Sequence, residues 1–118
     1  MNNLKNIPIF PLRSIILPGG QFPLRIFERR YLDMIKNSLR DNSGFVIALT
    51  KKDADYISSV HEYACYVEIV DWSQLDGGLL GITVEGKKIV MLSNCELNEG
   101  NLLTGHAKVI ESSIDHLI

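Results

Sequence analysis

Gly81-Ile82-Thr83-Val84-Glu85-Gly86-Lys87 has the glycine and lysine spacing of a phosphate-binding loop, in which backbone amides cradle phosphate oxygens and lysine neutralises them. The hydroxyl that would ligate magnesium is missing, because residue 88 is Lys. Ile82-Thr83-Val84 is strand-like, and Ile89 to Leu92 continue as strand rather than helix, so these residues favour a β-hairpin with its turn at Gly86. His61 and Cys65 stand four apart and would share one face of a strand, but with His106 and His116 they form no two-plus-two ligand pattern for zinc. Ser14, Ser38, Ser58, Ser59 and Ser73 lie in no Gly-x-Ser-x-Gly elbow, and neither cysteine has a catalytic frame. Glu68 with Asp71 fits the solvated face of a strand end. Catalysis has no support in these patterns, and neither a cofactor nor a metal is expected.

A different chemistry is suggested by apolar side chains where surface is expected. Ile15 and Ile16 lie beside a proline turn, Tyr56 and Ile57 interrupt the polar stretch Lys51 to Ser59, and Trp72 closes a strand. Apolar groups rimmed by polar ones suit capture of a polypeptide, and these five are the candidate binding residues. The competing structural role is to close the ends of the sheet.

The elements that would position them follow from periodicity. All four prolines, Pro8, Pro11, Pro18 and Pro23, fall in the first 23 residues and remove backbone donors, which predicts edge strand and rigid connector there. Leu17-Pro18-Gly19-Gly20 is a turn, with Pro presetting φ and Gly accepting positive φ. Over about 28–41, Tyr31, Leu32, Met34, Ile35 and Leu39 cover one arc against Arg29, Asp33, Lys36 and Arg40, which predicts one amphipathic helix. Asp41-Asn42-Ser43-Gly44 ends it, with Gly44 suited to a left-handed cap. Phe27 and Tyr31 would pack the helix start against the sheet. Phe45 to Leu49, Cys65 to Asp71, Leu79 to Glu85, Lys87 to Leu92 and Leu103 to Ile110 read as strands. The expected class is mainly β (α+β), about six short strands closed by the helix. Ile114, Leu117 and Ile118 would share a helical face, so a further C-terminal helical region is expected.

Composition sets outer bounds. A chain of 118 residues with 46% hydrophobic content fits one domain over residues 1–118. Twelve Lys and Arg against fourteen Asp and Glu provide no basic excess for a phosphate backbone, so nucleic acid is not the expected partner. Cys65 and Cys95 read as reduced thiols, and no apolar run is long enough for a membrane span. A soluble, cytoplasmic protein is expected.

Ile7-Pro8-Ile9-Phe10-Pro11-Leu12, then Leu17-Pro18-Gly19-Gly20, then Pro23-Leu24-Arg25-Ile26-Phe27-Glu28 through Arg30-Tyr31 resemble the opening of the Lon protease N-terminal domain family. Ile69-Val70-Asp71 and the stretch from Asp76-Gly77-Gly78 to Gly86 look like its later segments. The resemblance implies a PUA-like β-barrel with one helix and a non-catalytic module that binds unfolded or tagged polypeptides, in company with an ATP-dependent protease or with itself. The family's ATPase and Ser-Lys peptidase parts have no counterpart in these residues. RNA binding, which a PUA-like fold also hosts, and a self-association or regulatory role are the alternative readings.

Overall fold

The run Phe45-Val46-Ile47-Ala48 has no polar residue to turn outward, and the chain buries all four. They form the third strand, β3 (Phe45–Thr50), of a six-stranded sheet seen in a computed structural model that describes residues 3–51 and 59–110. The others are β1 (Asn3–Leu12), β2 (Gln21–Ile26), β4 (Val60–Gln74), β5 (Leu80–Leu97) and β6 (Leu103–Val109), with one helix, α1 (Arg29–Asp41), between β2 and β3. The order is β2-β5-β4-β3-β1-β6, and β5 also pairs with β6, so the pairing of β1, β3, β4, β5 and β6 returns on itself. β1 and β3 run parallel, and the intervening β2 and α1 make their crossover. Among the described residues no helix is long and apolar enough to cross a membrane.

Strand alternation divides the core in two. Phe45 and Ile47 face one cluster with Tyr31, Met34 and Ile35 of α1, while Val46 and Ala48 face another with Ile9, Val90 and Leu103. Each side of β3 is therefore sealed, which explains a strand without polar alternation. Arg30 ties the helix start to the turn between β5 and β6. Its guanidinium donates to the Glu28 carboxylate at 2.7 Å and to the Asn101 carbonyl at 2.8 Å, and lies 4.9 Å over the Tyr31 ring. Tyr31 meets Phe10 edge-on at 4.6 Å, and Phe10 in turn meets Phe45. Burial raises the Tyr31 pKa, an effect opposed by the charge of Arg30.

Several expectations change on contact with the fold. β4 and β5 are long, 15 and 18 residues, rather than short. Gly86 makes no turn: β5 runs straight through it, so the segments on either side are one strand and not a hairpin. Its amide donates to the Gly20 carbonyl, and Lys87 pairs with Glu85 and Glu68, so no phosphate cradle forms. β2 is an edge strand as its Pro23 demands, but β1 lies inside the sheet. β1 accommodates Pro8 and Pro11 by staggering its neighbours, with β6 along Asn3–Ile9 and β3 along Ile9–Leu12, so most of its length has a partner on one side only. Phe27 stays exposed, leaving Tyr31 to pack the helix start.

The helix ends differently from the expected glycine cap. Asn42, at φ 53° and ψ 46°, takes the left-handed position, and the Ser43 amide donates to the Ser38 carbonyl. Gly44 serves a different need, close approach. A Cβ there would overlap the Val67 carbonyl oxygen and the Tyr66 ring, whose hydroxyl accepts the Gly44 amide at 2.8 Å. The two positions should therefore respond oppositely to substitution. Asn42→Gly should be neutral or stabilising by up to about 1 kcal/mol, while Gly44→Ala should lose about 2 kcal/mol or more in urea titration.

Candidate functional site

The segment between β1 and β2 crosses the sheet as a strap. Leu17-Pro18-Gly19-Gly20 turns back on itself, with the Gly20 amide donating to the Leu17 carbonyl at 2.9 Å and Gly19 at φ 87°. Two further bonds fasten it to β5: Gly19 donates to the Gly86 carbonyl at 2.9 Å, and Gly86 donates to the Gly20 carbonyl at 2.8 Å. A Cβ at residue 86 would run into the Leu17 carbonyl and stand 3.0 Å from the Cys65 sulfur. Only glycine allows this backbone-on-backbone contact.

The strap walls one side of an open groove of about 210 Å³. Ile15 and Leu17 rise from the strap, Leu49 comes from β3, His61 and Tyr63 from β4, and Ile89 from β5, over a floor that includes Ile47 and Cys65. Ile15, Leu17 and Tyr63 hold apolar surface in solvent, at 68%, 60% and 58% exposure. Scattered apolar residues are ordinary on a surface, but three lining one concavity make it the candidate interaction site. No acidic side chain lines the groove among the described residues. The Cys65 thiol is pushed up by burial, against a smaller opposing pull from the backbone of Lys87 and Lys88. It is a floor group rather than a nucleophile.

The fold disperses the three candidate residues that it describes, Ile15, Ile16 and Trp72. Ile15 lines the groove in the open. Ile16, at 7% exposure, anchors the strap in the core and touches the groove from beneath. Trp72 lies elsewhere, half-exposed on the far part of β4 beside Arg25 and Leu75. Tyr56 and Ile57 fall outside the described residues. Tyr63 and Leu49 belong to the groove and were not singled out by sequence. Alternation carried a signal for Tyr63, since His61, Tyr63 and Cys65 repeat with period two and all line the groove.

Gly86→Ala should lift the strap, costing about 2–3 kcal/mol of stability. At a fixed pH it should also speed alkylation of Cys65, the covered thiol, while Cys95 keeps its rate. Both are measurable by mass spectrometry of iodoacetamide-treated protein.

Comparison with known proteins identifies the family of this fold. A family described as the ATP-dependent protease La (LON) substrate-binding domain matches residues 6–116. The structure is similar to a Lon N-terminal domain protein from Xanthomonas campestris, with TM-score 0.81 and 28% identity over 93% of this chain. It shares its fold with the N-terminal domain of a Mycobacterium avium complex Lon protease, with TM-score 0.64 and 17% identity over 92% of this chain. The chain spans 62% and 55% of the lengths of those two chains. No curated protein sequence matches it. A match running through nearly every described element means that the chain belongs to the family of Lon substrate-binding domains.

Proposed function

We propose that this domain is a non-catalytic polypeptide-recognition module that holds unfolded or tagged protein segments in the groove beneath the strap, for an ATP-dependent protease to act upon. The carrying observation is the convergence of Ile15, Leu17 and Tyr63 on one apolar concavity in a domain whose family is described by substrate binding. A folded protein keeps such side chains inside. An unfolded one presents them, and their transfer from water into the groove supplies the driving force. The open shape suits many sequences weakly rather than one tightly, because ordering a flexible chain offsets much of the gain. Ile15, Leu17 and Tyr63 are the contact residues in this reading, and Ile16 holds the strap in place from below.

The test is anisotropy of a labelled, carboxymethylated model protein against its native counterpart. The unfolded form should bind selectively, and Ile15→Ser or Tyr63→Ser should each weaken binding about threefold to tenfold with melting temperature unchanged. Ile16→Ser should instead destabilise the fold by about 2 kcal/mol or more, which makes it a control for structure. Equal binding by the wild type and both groove variants would reject the groove as the recognition surface.

A further inference from the structure

Among the described residues the sheet ends in two open edges of unequal chemistry. Past Val67, β4 has lost β3 as a neighbour and among the described residues keeps only β5, which pairs with β2 on its other side. These three strands form an arm bounded by β2 and by the last part of β4. The β2 edge is blunted, since Pro23 lacks a donor and Arg25 places a charge beside it. The β4 edge carries neither proline nor a basic residue from Glu68 to Gln74. Its start lies by the end of α1, at Ser38 and Leu39, but Val70–Gln74 continues beyond. Five residues in extended form offer about 17 Å of edge.

The side chains along this edge specify what would lie there. Trp72 pairs across from Ile82, which pairs with Leu24, so one apolar row crosses the arm and ends in the half-exposed Trp72. Val70, at the bulge between Ile69 and Asp71, adds a second exposed apolar group. Asp71 has no ion-pair partner among the described residues, and Glu68 is met by Lys87 only at 4.0 Å. An added strand would extend the Leu24-Ile82-Trp72 row with an apolar residue and meet Asp71 with a basic one. A second copy paired antiparallel about Asp71 would bring that carboxylate opposite its own counterpart, a like-charge contact that disfavours this self-pairing.

We propose that the Val70–Gln74 edge of β4 takes an extended polypeptide segment of alternating apolar and basic residues as an added strand. This rests on the polypeptide-binding reading but uses a surface apart from the groove. Backbone bonds would supply register, Trp72 and Val70 the apolar contact, and Asp71 the preference for basic partners.

Trp72 is the only tryptophan in the chain, so its emission reports on the edge directly. A blocked seven-residue peptide alternating Val and Lys should shift that emission saturably. The same peptide N-methylated at alternate residues should bind about tenfold more weakly or not at all, having lost its strand donors. Asp71→Lys should weaken the Val/Lys peptide about threefold to tenfold and favour a Val/Glu peptide. Ile15→Ser and Tyr63→Ser should leave the titration unchanged. Undiminished binding by the N-methylated peptide, or loss of binding in the groove variants, would overturn strand addition. An emission shift with protein concentration alone would assign the edge to a second copy and overturn it too. A silent Trp72 alongside intact capture of unfolded protein rejects the edge and keeps the groove; silence in both assays rejects polypeptide binding altogether.

Discussion

The absence of a side chain at residue 86 is the constraint on which the arrangement depends. At that point β5 passes from the arm, where β2 flanks it, to the closed circuit, where β6 does. There the strap crosses it at backbone contact. Two amide-to-carbonyl bonds between Gly19, Gly20 and Gly86 replace the strand pairing that β5 otherwise has on that side. The cost of leaving backbone groups unpaired in a covered position is thereby avoided. The strap seats Ile16 in the core and holds Ile15 and Leu17 out, so one local requirement produces both an anchor and a wall of the groove.

The second organising feature is a chain of contacts that joins the β5–β6 turn to the helix and the two parallel strands. Asn98 orders the turn after β5 by accepting the amides of Gly100 and Leu102 through its side-chain oxygen. That presents the Asn101 carbonyl to Arg30, which lies over Tyr31; Tyr31 meets Phe10, and Phe10 meets Phe45. Helix, turn and both parallel strands are registered by one partly buried guanidinium and three rings. The planar donors of arginine serve the Glu28 carboxylate and the Asn101 carbonyl together, which a lysine could not reproduce. With the helix locked by this route, the strap and the end of β4 remain as surfaces with apolar groups in water.

Those two surfaces suit recognition of chains rather than of small molecules. The groove is open and shallow, without the convergent polar groups that would orient a defined ligand, and the β4 edge offers backbone and alternating side chains. In the proposed reading, both match properties that unfolded polypeptides share, namely exposed apolar residues and unpaired backbone. Membership in a family of substrate-binding domains is consistent with that economy of chemistry.

Much of the fold was legible in the residues because it rests on local periodicity. The amphipathic arc of α1, the strand character of Phe45 to Leu49 and the turn at Leu17-Pro18-Gly19-Gly20 each follow from spacing within one element. The motifs of the first thirty-one residues also indicated the family. Glycine roles were not legible, because glycine at a turn and glycine under a crossing segment look alike until the crossing segment is placed. Gly44 and Gly86 both read as turn or cap, and both turned out to mark close approach. The described apolar candidates, Ile15, Ile16 and Trp72, met the same limit, since hydrophobicity alone does not say which way a side chain points. The sequence by itself determined the helix, the strand-rich class and the kinship; only the tertiary structure decided that one strand runs through Gly86, that Ile15 faces solvent while Ile16 is buried, that Tyr63 joins the groove, and that Trp72 belongs to a separate edge. Those outcomes depend on which strands pair and where the strap crosses, contacts between residues distant in the chain that no local pattern encodes.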